Sequence, residues 1–124
     1  MKFSEMPYSR PDMDALFSRL DQLTSQLEAA SSAQAQLELF KEKDQLMSHF
    51  STLSSICSIR NTVDTRDKFY EDEQAYLDEQ YPLISEKLQA FNKVLVASPF
   101  RAQLENELGA LLFTNIELEL KSFT

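Results

Sequence analysis

The sequence predicts an all-α fold of four or five helices, and three observations carry that expectation. The chain holds one glycine and four prolines in 124 residues, whereas hairpins and tight sheet turns draw on glycine for positive φ. Leu, Ala, Gln, Glu and Ser dominate most of it, and all but Ser are good helix formers. Apolar residues recur at steps of three and four, which aligns them on one face of an α-helix.

Residues 1–9 contain Pro7 and no helical period, and are expected to form an extended arm anchored by Phe3, Met6 or Tyr8. Pro11 opens the first helix, since a first turn tolerates proline, and Asp12 and Asp14 suit the positive end of the helix dipole. Leu16, Leu20, Leu23 and Leu27 then form one apolar stripe, which Ala29 to Ser32 interrupts. Ser32 can cap a second helix, and so short a connection implies an antiparallel hairpin. The second helix carries Leu39, Leu46, Phe50, Leu53 and Cys57 in phase, flanked by Phe40, Met47, Ile56 and Ile59, so its far end should lie deeper in the protein.

Asp64 or Thr65 can cap a third helix over about residues 66–97, expected to be the longest. Tyr70, Leu77, Tyr81, Ile84, Leu88, Phe91 and Leu95 keep one phase straight through Pro82, which argues for a kink there and not a stop. Ser98 and Pro99 signal a fourth helix bearing Phe100, Leu104, Leu108, Leu111 and Leu112. Gly109 marks a break or bend, with Phe113, Ile116, Leu120 and Phe123 continuing beyond it. The 124 residues read as a single helical domain.

Composition narrows the function classes. Twenty acids against twelve bases give a formal charge of −8, which repels nucleic-acid phosphates and anionic lipid. No apolar run is long enough to span a membrane, and the start lacks a signal-peptide pattern. With Cys57 as the lone cysteine there is no internal disulfide, and a reducing cytoplasm is the expected location.

Few residues could carry chemistry. His49 is the one histidine, so neither a paired-histidine zinc site nor an H-E-x-x-H motif can be assembled within one chain; its simplest reading is a helix-surface or boundary residue. Cys57 lies on the apolar stripe of the second helix and reads as a small buried hydrophobe before a nucleophile. Asp64, Asp67, Glu71, Asp72, Glu73, Asp78 and Glu79 face only Arg66 and Lys68 in the same stretch. They could converge as a cation or acid–base site, but on a helix they spread over several faces, and a solvated surface is favoured. Phe69, Tyr70, Tyr76, Tyr81 and Phe91 could line a peptide groove, with ordinary core packing the simpler account. No residue is therefore assigned as catalytic, cofactor-binding or metal-binding.

Several stretches carry a family likeness. Met1 to Tyr8 with Arg10-Pro11-Asp12, His49 to Thr52, Ser58 to Thr65 with Phe69-Tyr70, Ala97 to Arg101 and Glu119 to Phe123 resemble the N-terminal region of bacterial oligoendopeptidase F, a thimet-oligopeptidase-like metallopeptidase of the M3 family. The likeness spans almost the whole chain in order. It implies a cytosolic, largely helical zinc endopeptidase with a deep channel that admits short peptides. In such enzymes a helical H-E-x-x-H supplies two zinc ligands and the general base, and a later glutamate a third ligand. All lie far downstream of this region, so the resemblance assigns none of them to a position here.

The resemblance implies an N-terminal region that helps wall the substrate channel, with zinc and catalysis in the full-length parent and neither in these 124 residues. Its partners would be the remainder of the parent and, for the intact enzyme, short peptides. The alternative is a free-standing helical interaction module. Detached from a parent, the chain should self-associate through an exposed apolar patch, expected at Phe113, Ile116, Leu120 and Phe123 and around Ile56 and Ile59.

Overall fold

Asp12, and not Pro11, begins the first helix: its carboxylate accepts from the Ala15 backbone N–H at 3.0 Å, an N-cap that uses one of the helix's free amides. The computed structural model of the chain describes residues 8–63 and 68–122. Over these it contains helices α1 (Met13–Ala29), α2 (Ala33–Val63), α3 (Lys68–Val96), α4 (Arg101–Leu108) and α5 (Ala110–Ser122), and no strand. Phe3, Met6, Asp64, Thr65, Arg66, Asp67 and Phe123, for which sequence patterns suggested roles, lie outside the described residues.

Ser32 caps α2 as expected, its hydroxyl accepting from the Ala35 N–H at 3.1 Å. Partners on α1 and α2 run in opposite directions: Leu27 meets Gln36, and Arg19 meets Glu42. The hairpin is therefore antiparallel. Helix α3 returns alongside, parallel to α1, with Lys87 Nζ at 2.9 Å from Asp21, and continues through Pro82 without interruption. Over the described residues α2 has 31 residues and α3 has 29; α2 carries on through Asn61 to Val63, where the sequence suggested a loop.

The entry to α4 also differs. Ser98 does not cap the helix: its hydroxyl accepts from the Phe100 N–H at 3.0 Å, but Pro99 and Phe100 form a turn, the helix starts at Arg101, and its N-cap position is Phe100, with no side-chain cap hydrogen bond. At Gly109 the chain takes φ +95°, and its N–H closes α4 on the Glu105 carbonyl at 2.8 Å. A backbone angle that favours glycine breaks α4 from α5, so the phase resets there. Leu111, expected on the α4 stripe, is consequently 71% exposed.

Two apolar clusters form the core. One gathers Leu23 and Leu27 of α1, Leu37 and Phe40 of α2, Phe91 and Leu95 of α3, Leu104 of α4, and Phe113 and Ile116 of α5. The other holds Met13, Leu16 and Leu20 with Phe50, Cys57, Leu77 and Ile84. Leu46 packs against both. The second half of α2 is deeply buried through Phe50, Leu53, Ser54, Ile56 and Cys57, as its widening stripe predicted, but burial ends there and Val63 in the last turn is 70% exposed.

The expected exposed patch is not where the sequence put it. Phe113 and Ile116 are core residues, Ile56 is buried, and Leu120 and Ile59 are half-buried. Helix α5 folds back on α3 and α4, so its inner stripe is covered within the chain. The exposed apolar side chains of α5 are Leu111 and Leu118 on its outer face.

Candidate functional site

The residues nominated for chemistry are not brought together. His49 is exposed on α2, on the rim of a shallow apolar groove lined also by Pro11, Leu16, Arg19, Leu46 and Phe50. Cys57 is fully buried, its thiol donating to the Tyr70 carbonyl at 3.7 Å. Burial first, and the charge of Glu73 second, push the thiol above its usual range, and a hydrogen bond with Tyr8 only partly opposes them. A buried thiol held neutral is a poor nucleophile. Among the described residues no group of three or more His, Cys, Asp or Glu could hold a metal ion.

The aromatic set divides. Phe91 is core, Tyr70 and Tyr76 are half-buried, and Phe69 and Tyr81 are exposed. Tyr81 sets its ring edge-on to Phe50 at 5.5 Å and shares a hydrogen bond of 2.8 Å with Ser54, tying α3 to α2. These are packing contacts between helices, and the five rings do not line one groove.

Glu71, Asp72, Asp78 and Glu79 are solvated, as expected for a charged helix face, but Glu73 is 4% exposed. Its Oε1 accepts from the Tyr8 hydroxyl at 2.9 Å and from Arg10 Nε at 3.1 Å. Its Oε2 accepts from Arg10 Nε at 3.2 Å and from Arg10 Nη2. The Arg10 guanidinium lies 3.8 Å over the centre of the Tyr76 ring, a favourable cation–π placement. Hydrogen bonds from Arg10 chiefly, and then from Tyr8, outweigh burial and hold the Glu73 carboxyl below its ordinary pKa. Burial, followed by the bond to Glu73, raises the Tyr8 phenol. The carboxylate is thus kept ionised, and the phenol neutral.

Sequence reasoning missed this cluster, although a signal was present. The apolar stripe of α3 steps seven positions from Tyr70 to Leu77, and Glu73 occupies the missing inward position.

Gln36 is a further buried polar side chain that links elements. It donates to the Leu27 carbonyl at 3.0 Å and accepts from the Ser98 hydroxyl, pinning the end of α1 and the turn before α4 to α2. A cavity of about 380 Å³ opens beside it, lined by Leu27, Ala30, Lys93, Val94 and Pro99 among others. Across α4 and α5, Arg101 pairs with Glu105 at 2.8 Å and with Glu117.

The chain matches known proteins over nearly its whole length. The family model described as the peptidase M3 N-terminal domain matches residues 3–123. A solved structure of PZ peptidase A with an inhibitor is 42% identical, superposes with a TM-score of 0.92, and is covered over 22% of its length by 99% of this chain. A protein described as an oligoendopeptidase F is 39% identical with a TM-score of 0.92, over all of this chain and 22% of its own. One so described from Bacillus anthracis str. Ames is 30% identical with a TM-score of 0.91, over all of this chain and 23% of its own. The chain spans between a fifth and a quarter of the length of these structures. No curated protein matches it significantly.

Proposed function

The chain belongs to the peptidase M3 N-terminal domain family, and from that premise we propose that it is the helical N-terminal region of a zinc oligoendopeptidase that cleaves short peptides. Its part is to form a section of the substrate-channel wall, and it contributes no catalytic group of its own. The observation that carries this reading is the 42% identity to PZ peptidase A over 99% of the chain.

Among the described residues no group of three or more His, Cys, Asp or Glu is placed to hold a zinc ion. The sequence has one histidine, which is exposed, and one cysteine, which is buried and hydrogen-bonded. Tetrahedral zinc sites draw on several such groups converging at about 2.0–2.3 Å. The ligands and the general base would come from the portion of the relatives' length that this chain does not span.

A wall role agrees with a bundle whose core is closed at both clusters but whose outer surface keeps apolar side chains. Leu111 and Leu118 stand seven residues apart on one face of α5, 71% and 60% exposed, a seam suited to a neighbouring helix. In an isolated chain that seam is the surface through which self-association would run. A cytoplasmic location rests on a free buried thiol, stable where thiols stay reduced; in addition, no described helix is long and apolar enough to cross a membrane.

The test is the coding sequence past Thr124. An in-frame continuation into an H-E-x-x-H, with chelator-sensitive peptide cleavage by its product, is the expected result. A stop codon at that point would favour the free-standing interaction module.

A further inference from the structure

The segment Tyr8–Arg10 precedes the first helix and is held to α3 by the side chains of its first and last residues. What it holds is a carboxylate almost without exposure, and the hydrogen bonds described for both Glu73 oxygens come from this segment. Each side depends on the other. Lifting the segment takes all four of these hydrogen bonds from the carboxylate, and water must replace them. Among the described residues its other contacts are packing ones: Tyr8 lies edge-on to Phe69 and Tyr70 at 6.4 and 6.0 Å and against the second apolar cluster, and Arg10 covers Tyr76. An element tied by one polar cluster opens as a unit, at a lower free energy than the helices beneath it. Beneath the Tyr8 hydroxyl lies the thiol of Cys57, on the seam where α2 meets α3.

We propose that Tyr8–Arg10 is a releasable strap across the α2–α3 seam, fastened by Glu73, and that its release opens the seam around Cys57 to solvent while the helices stay folded. The strap couples the position of the chain preceding α1 to the openness of that seam. It stands independently of the peptidase reading.

Cys57 serves as the reporter, being the only cysteine and having no exposed surface. Its alkylation by N-ethylmaleimide at neutral pH is compared in wild type, Glu73→Gln and Tyr8→Phe, with Glu42→Gln, in the separate pair with Arg19, as control. The expected result is labelling faster by about tenfold or more in Glu73→Gln and by a smaller factor in Tyr8→Phe, as a local opening made easier requires. Glu42→Gln should label as wild type does, and helicity by circular dichroism should be the same in all. A second measurement needs no variant. In wild type, labelling through strap release depends weakly on urea at low concentration and steeply only where the helices unfold, because the slope scales with surface exposed. Labelling unchanged in the folded Glu73→Gln variant, or wild-type labelling that follows the global urea slope throughout, would overturn the proposal.

Discussion

Gln36 Nε2 donates to the carbonyl oxygen of Leu27 at 3.0 Å, joining the first turn of α2 to the last turn of α1. The Leu27 carbonyl belongs to the set that a helix end leaves short of partners, and Gln36 reaches it from a position 2% exposed. Gln36→Ala therefore removes a buried donor and an acceptor together, leaving the Ser98 hydroxyl short as well. We expect a loss of about 1–3 kcal/mol by urea denaturation, against about 0.5 kcal/mol or less for exposed Gln22→Ala.

Glu73 sets a pH dependence of defined sign. Its carboxyl is held below the ordinary value of 4.5 in the folded chain, so it contributes stability that is full above that value and is lost as pH falls through the depressed one. The groups facing it are Tyr8 and Arg10 from the strap, Tyr76 on its own helix and Cys57 from α2. Glu73→Gln should lower the urea midpoint at neutral pH by the equivalent of about 1–3 kcal/mol, and the gap to wild type should close on acidification below about pH 4. Glu42, lowered by Arg19, acts with the same sign in both proteins and cancels in that difference. A gap that stays constant down to acid pH would refute the assignment.

At Gly109 an added Cβ meets no atom within 4 Å, yet φ is +95°. The cost of Gly109→Ala is thus one of backbone strain and not of collision, about 1–3 kcal/mol for a residue forced into a region that glycine alone occupies readily. Thermal unfolding of the variant measures it; an unchanged or raised midpoint would mean that α4 and α5 merge into one helix there.

Phe113 and Leu111 are two residues apart with opposite burial. Phe113→Ala should cost about 3–5 kcal/mol as a core truncation, and Leu111→Ser within about 0.5 kcal/mol. If self-association occurs through the outer face of α5, light scattering should show Leu111→Ser weakening it while Phe113→Ala instead loses cooperative unfolding.

Helix number, the first hairpin, the stripe of α1, the break at Gly109 and the burial of Cys57 could all be read from spacing and caps. The first half of α2 could not. Its buried positions are Gln36, Leu37 and Phe40, followed by a half-buried Lys43 whose ammonium sits 4.1 Å over the Phe40 ring and 5.7 Å from that of Phe91. A lysine on the buried face breaks the apolar pattern, which shifted the expected stripe to Leu39. Glu73 was hidden for the same reason. A single inward acid among outward ones leaves only a gap in the apolar stripe as its mark, because its partners Tyr8 and Arg10 are more than sixty residues away in sequence. Phe113 and Ile116 were legible as a stripe, but whether a stripe is covered depends on where α5 folds back, which spacing alone does not specify.

The most direct measurement of the central claim, a non-catalytic N-terminal part of an M3 peptidase, is cleavage of an internally quenched short peptide by the purified 124-residue chain, with zinc content determined on the same fractions. The account predicts no cleavage above buffer and no stoichiometric zinc, since the sequence has one histidine and one cysteine and, among the described residues, no group of His, Cys, Asp or Glu is placed to hold a metal. Chelator-sensitive cleavage that co-elutes with this chain would contradict it.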